Sequence, residues 1–506
     1  MQTLRAWRHF SFRDALSDPR PWARVLSIAA LCALIGAPVG AILGLLGGVY
    51  GSAFILAALI GYLMLRSLIA GLMVLIGLIF ILPFAALPFQ VGFTPTFLDL
   101  VLLAVFFVWA SRVAARKERE FRALSPTLGV LVFVLLAVFS FIAGLSHAPL
   151  TANVIRHFFE ILLSILTFVL VINAVRTAPQ LRLVTTVIIL AACVAALIGI
   201  VLYFLPEEIS VRALSALRVV GYPSGSDVLR YIEDDPSRAL RAVSTSIDPN
   251  VLGGALIFGA AITVSQIFAQ APVLPKRWLG GMALSMVTCL FLTYSRGSFA
   301  GLAAAIGLLA LLRYRRLLWV ALLCLALILV LPPTQAYVDH YISGIRGQDL
   351  ATQMRFGEYK DALILIGRYP WFGVGFAGTP DVDTYLGVSN VYLLIAENMG
   401  VVGLTAFLAT LFTYLGKVIG ALRARATRAQ VSATSLGFFL AVVGAMVGGM
   451  LDHYLFNLVF PHASTLLWLT LGLGVASLHL DLSAPGSVDR ATETPLLQVI
   501  APSNEP

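Results

Sequence analysis

Residues 353–407 read QMRFGEYKDALILIGRYPWFGVGFAGTPDVDTYLGVSNVYLLIAENMGVVGLTAF. They close the longest polar interruption of a very apolar chain, which starts near Tyr337, and they run straight into a helix. Arg355, Glu358, Lys360, Asp361 and Arg368 come first, a Pro-Trp-Phe-Gly-Val-Gly turn fills Pro370 to Gly375, and Ser389-Asn390 opens a helix that carries Glu397. Apolar sequence flanks the stretch on both sides. Of 506 residues 59% are hydrophobic and only 12% charged, about half the charged fraction of a soluble chain.

On both sides of this stretch apolar runs recur at a length of about 17–25 residues, enough to cross a bilayer. Spans are predicted near 26–47, 50–65, 67–87, 98–111, 127–145, 157–174, 183–204, 250–270, 278–294, 298–312, 317–332, 389–420, 431–451 and 463–480. The second and third are the weakest, because Gly47, Gly48 and Gly51 break the pattern and Arg66 divides it. Continuous apolar runs exclude an outer-membrane barrel, whose strands alternate. The chain therefore reads as an all-α polytopic integral membrane protein of about 12–14 transmembrane helices with two larger extracytoplasmic loops.

Lys and Arg near span ends set orientation. With a cytoplasmic N-terminus, every second loop should be basic. Those loops hold Arg66; Arg112, Arg116, Lys117, Arg119 and Arg122; Arg176 and Arg182; Lys276 and Arg277; Arg313, Arg315 and Arg316; and Lys417, Arg423, Arg425 and Arg428. The resulting organisation is a basic cytoplasmic N-terminus (1–25), N-terminal spans (26–204), an extracytoplasmic loop (205–249), further spans (250–332), a large extracytoplasmic loop (333–388), C-terminal spans (389–480) and a disordered cytoplasmic tail (481–506). Arg5, Arg8, Arg13, Arg20 and Arg24 lead into a full-length first span, so no cleavable signal peptide is expected. Both long loops mix charges and carry Pro and Gly without low complexity, the composition of folded caps. No inverted halves are visible, which counts against a secondary transporter.

The four cysteines lie inside apolar runs and suggest neither disulfides nor a metal site. Walker, GxGxxG, HExxH and CxxC patterns are absent, so no cofactor is expected. What stands out is arginine at the extracytoplasmic ends of spans. Arg296, in Ser295-Arg296-Gly297, sits in a tight helical hairpin where positive-inside bias gives no reason for it. Snorkelling is the plainer reading; a phosphate contact is the functional one, since guanidinium offers a fork of donors. Arg241 precedes Ser244, Thr245, Ser246, Asp248, Pro249 and Asn250, a helix start and a possible anion site. Arg355 lies in an amphipathic segment, 352–367, where a salt bridge to Glu358 is the plainer reading.

Together these motifs resemble the O-antigen ligase and polysaccharide polymerase superfamily. Its pattern is an Arg before a Pro-Asn helix start, a Ser-Arg-Gly hairpin, a long loop with an Arg and an aromatic-Gly-x-Gly turn, then an Asn-x-Tyr-Leu helix ending in Glu-x-x-Gly-x-x-Gly. Here these look like Arg241 with Pro249-Asn250, Ser295-Arg296-Gly297, Arg355, Pro370 to Gly375, Ser389-Asn390-Val391-Tyr392-Leu393, and Glu397 to Gly403. The resemblance covers roughly residues 235–420. It implies a bacterial inner-membrane, metal-independent, inverting glycosyltransferase and makes the 333–388 loop a catalytic one. The donor would be a polyprenyl (undecaprenyl) diphosphate-linked glycan and the acceptor a sugar or glycolipid. Arg241, Arg296 and Arg355, with Ser389 and Tyr392, would bind the diphosphate and glycan. Membrane lipids are the other expected partner, and nucleic acid is not expected.

One departure matters. Ligases of this family carry a histidine before that Asn, and Ser389 stands in its place. Serine is a poor base at neutral pH. Asp452-His453 and Glu397 are the candidate replacements, with Asn390 beside them; His340 is a further one. Loss of the histidine points slightly toward a polymerase or a divergent glycan transferase over a strict lipopolysaccharide ligase. A lipid-linked oligosaccharide flippase and a non-catalytic scaffold are the rival classes.

Overall fold

The computed structural model describes residues 20–90, 92–115, 121–147, 149–379, 387–424, 427 and 430–483. Arg5, Arg8, Arg13, Arg116, Lys117, Arg119, Arg425, Arg428 and the tail beyond residue 483 lie outside the described residues. The chain divides into two units, Met1–Ser67 and Leu68–Pro506. The first contains α1 (Pro21–Arg66), interrupted at Gly47, where φ is 77°. Only glycine takes that backbone readily, so the two limbs correspond to the first two expected spans.

The second unit is built from α2 (Leu68–Ile81), α3 (Phe97–Ala114), α4 (Thr127–Gly144), α5 (Ala152–Ala174), α6 (Ala178–Phe204), α7 (Glu207–Ser215), α8 (Pro249–Ile267), α9 (Lys276–Leu292), α10 (Arg296–Leu312), α11 (Arg316–Val330), α12 (Gln335–Ile345), α13 (Leu350–Arg368), α14 (Val391–Arg423), α15 (Ala433–Gly448) and α16 (Pro461–Ser483). Eight helical segments of the described chain are long and apolar enough to cross a membrane, and five shorter apolar ones accompany them. Each expected span falls on a helix, and the protein is an all-α polytopic membrane protein. The third span stops at Ile81 rather than near 87, because Pro83 and Pro88 cannot continue a helix. The sixth starts at Ala152, five residues early, where the Thr151 side chain accepts from the Val154 amide.

In lipid, apolar surface alone does not drive helices together, so small residues and shape decide the packing. α16 is the central helix, buried on all sides from Pro461 to Leu478. It lies along α5, and its Trp468 stacks on Phe133 of α4 at 5.7 Å. α15 lies along α8 and α10, with Gly297 and Gly301 against the carbonyls of Gly448 and Gly444.

One end of this unit carries both long loops. The 205–249 loop holds α7 and a two-residue antiparallel pair, β1 (Arg230–Tyr231) and β2 (Leu240–Arg241), with Arg230 opposite Arg241. The other loop holds α12 and α13. α14 breaks at Gly400 (φ 68°), and the Pro370–Gly375 turn fills the break. The Val374 amide donates to the Glu397 carbonyl (2.8 Å), the Gly375 amide to Asn398 (3.0 Å), and the Val401 amide to Pro370 (2.8 Å). The aromatic-Gly-x-Gly turn thus supplies the partners that a broken helix leaves orphaned. A Cβ on Gly400 would collide with the Trp371 backbone, and one on Gly373 with the backbone at Glu397 and Asn398.

Candidate active site

Asn390 caps α14. Its Oδ1 accepts from the amides of Tyr392 (2.9 Å) and Leu393 (3.1 Å), and its Nδ2 donates to the Met450 carbonyl (2.9 Å). The Val391 amide reaches the carbonyls of Gly449 and Asp452. The helix start is thereby tied to the 449–460 loop, so Asn390 and Asp452-His453, 62 residues apart in sequence, become neighbours. Tyr392 donates to the Met446 carbonyl (2.9 Å) and acts as a strut onto α15.

α13 lies over this junction. Glu358 accepts from the Ser389 amide (2.9 Å), and the Tyr359 hydroxyl lies 3.4 Å from the carbonyls of Ser389 and Met450. Glu358 is therefore bound to the Ser389 loop rather than to Arg355. Arg355 has no carboxylate within salt-bridge distance among the described residues. Its charge acts on Tyr359, on Asp452 and on Arg241.

Arg241 is fixed from the opposite side. Its Nε donates to the Thr293 carbonyl (2.8 Å) and its Nη2 to Asn250 Oδ1 (2.6 Å). Asp248 caps α8 through the amides of Asn250 and Val251. Burial lowers the Arg241 guanidinium to about 10, with Asp248 and Asp452 opposing that fall and Arg355 adding to it. Arg241 remains charged at neutral pH. Three non-glycine residues around it have left-handed backbone: Ser244 (φ 52°), Ile247 (57°) and Tyr294 (52°). Each such conformation costs about 1–3 kcal/mol and is typical of functional sites.

Asp452 is buried, and burial raises its carboxyl above the usual range against the pull of His453 and Arg355. Its Oδ1 accepts from the His453 amide (2.8 Å) and lies 3.5 Å from His453 Nδ1. His453 lines a pocket of about 250 Å³ with Glu358, Ser389, Asn398, Phe376 and Phe456. Neither Arg241 nor Arg355 lines that pocket; Asp452 and His453 link it to them. His453 and Ser389 both line this pocket.

Three expected residues, Arg296, His340 and Glu397, do not line that pocket. Arg296 donates to Asp349 Oδ2 at 2.6 Å in a nearly buried pair, and Tyr341 donates to its carbonyl. Burial alone would raise the Asp349 carboxyl; the hydrogen bond and charge of Arg296 bring it down to about 2. His340 adjoins both arginines and is lowered to about 4 by burial, then by Arg296 and Arg241. Glu397 is buried where its carbonyl accepts from the Val374 amide of the 370–375 turn, and its carboxylate lies within reach of the Glu358 charge. Asn398, Asp349 and Tyr359 were not picked out from the sequence. Asn398 adjoins Glu397 in an apolar helix and could have been flagged; Asp349 and Tyr359 carry no comparable signal.

The O-antigen ligase family model matches residues 281–408, from α9 into α14, which includes Arg296, Arg355, Ser389, Asn390, Tyr392 and Glu397. Arg241, Asp452 and His453 fall outside that segment and meet it in space. No curated protein matches the chain. Over residues 281–408, about a quarter of its length, this membrane protein is similar to the O-antigen ligase family.

Proposed function

We propose that the protein transfers a glycan from a polyprenyl diphosphate carrier to a sugar or glycolipid hydroxyl at the extracytoplasmic face of the inner membrane. The observation that supports this best is the meeting of Arg241 and Arg355 with Asp452-His453 beside a polar, aromatic-edged pocket. Arg355, without a carboxylate partner among the described residues, and Arg241 would hold the diphosphate. The acceptor oxygen attacks the anomeric carbon, and the bond from that carbon to the diphosphate oxygen breaks with its electron pair. Fixed cations aimed at the departing charge lower that barrier. The acceptor proton goes to the imidazole of His453, whose positive charge would then be stabilised by the Asp452 carboxylate 3.5 Å from Nδ1. Glu358, Ser389 and Asn398 would orient the acceptor sugar against Phe376 and Phe456. In this reading His453 takes the place of the family histidine, and Glu397 is the second candidate base.

The test is release of carrier diphosphate from a labelled polyprenyl diphosphate glycan by purified protein. The reading expects release by wild type, loss in His453→Ala and a smaller effect of Glu397→Gln. Lipid movement across the bilayer without release would instead make the protein a flippase.

A further inference from the structure

At the end opposite the site, a groove of about 580 Å³ opens between the last turns of α10 and α14 and the start of α15. Its floor is Leu436 and Phe439, both buried, and its walls are leucines of α10 with Ile419 and Leu422 of α14. Arg313 and Arg423 stand at its rim, and no carboxylate lines it. Arg313 donates to the Val431 carbonyl at 2.9 Å, which fixes its guanidinium with donors to spare. Both arginines are exposed, and neither pairs with a carboxylate among the described residues. Cations at helix C-termini are favourable in themselves. That does not account for two of them at the rim of one apolar groove whose volume suits a small ligand.

We propose that this groove binds one anionic glycerophospholipid, its phosphate between Arg313 and Arg423 and an acyl chain along the leucine walls. The charge selects the occupant: a neighbouring transmembrane helix would satisfy the leucines and leave two guanidiniums unanswered, whereas a phosphate diester answers both. The site lies away from the glycan chemistry and does not depend on it.

Delipidated protein in detergent is titrated with phosphatidylglycerol or phosphatidylcholine, with bound lipid counted by native mass spectrometry and Tm followed. Phosphatidylglycerol should be retained and raise Tm, and phosphatidylcholine should do neither. Arg313→Gln with Arg423→Gln should lower retention about tenfold. Leu308→Trp, which narrows the groove and keeps both charges, should also lower it and gives a readout if the double variant does not fold. Arg315→Gln with Arg316→Gln, exposed and outside the groove, should match wild type. The proposal is overturned if phosphatidylcholine is retained equally, if the Arg315/Arg316 control loses as much, if Leu308→Trp retains phosphatidylglycerol fully, or if a polyprenyl phosphate displaces it.

Discussion

Arg296 and Arg355 both lie in the O-antigen ligase segment and at the same end of the bundle, yet their surroundings differ. Arg296 spends its charge on Asp349 at 2.6 Å, almost out of solvent, and its carbonyl receives Tyr341. Arg355 stands on a half-buried face of α13 with no carboxylate to neutralise it among the described residues, near Asp452 and Arg241. A guanidinium already paired has little field left for a ligand, whereas an unpaired one beside a second cation is costly until an anion arrives. The difference suggests that one arginine holds the loop over the site and the other is held in readiness for a diphosphate.

The largest effect is expected of Arg355→Ala. It should slow carrier-diphosphate release on the order of 100- to 1,000-fold while leaving Tm near wild type, because no ion pair is lost; initial rates and a thermal melt check both. Arg296→Ala should do the reverse. It leaves Asp349 buried without its partner and should cost about 3 kcal/mol of stability, and adding Asp349→Ala should restore much of it in a denaturant titration. Gly400→Ala tests the scaffold that sets where α13 ends. The left-handed backbone and the collision with Trp371 should cost about 1–3 kcal/mol, with a lower folded yield in fluorescence-detected size exclusion.

The smallest effect concerns His340, which lies within reach of the charges of Arg296 and Arg241. Its folded value is depressed to about 4 from an ordinary 6.5, so the unfolded chain binds the extra proton first. Its stabilising contribution is complete above 6.5 and is lost as pH falls toward 4. His340→Gln should flatten the decline of Tm over that window; an unchanged slope would remove His340 from the arginine neighbourhood.

Much of the fold was legible because bilayer length and loop charge are properties of sequence alone. The Gly47 break, the Asn390 cap and the start of α8 all follow from what glycine, asparagine and Asp-Pro do to a backbone. The candidate site was legible only residue by residue. Nothing at Asp349 announces that it will meet Arg296, 53 positions away, and the neighbouring Glu358 looked the natural partner of Arg355 until the Ser389 amide claimed it. The pairing of Ser389 with His453 in one pocket depends on the 449–460 loop folding back on the α14 start, a long-range contact that periodicity does not encode.

The most direct measurement of the central claim is the affinity for a glycan-free polyprenyl diphosphate, compared between Arg355→Ala and Arg296→Ala/Asp349→Ala in the same detergent. If Arg355 receives the diphosphate, its loss should raise Kd about tenfold or more, while the double variant, which removes the paired charges together, should stay within about threefold of wild type. Unchanged binding in Arg355→Ala, or a larger loss in the double variant, would contradict the account and return the phosphate to Arg296.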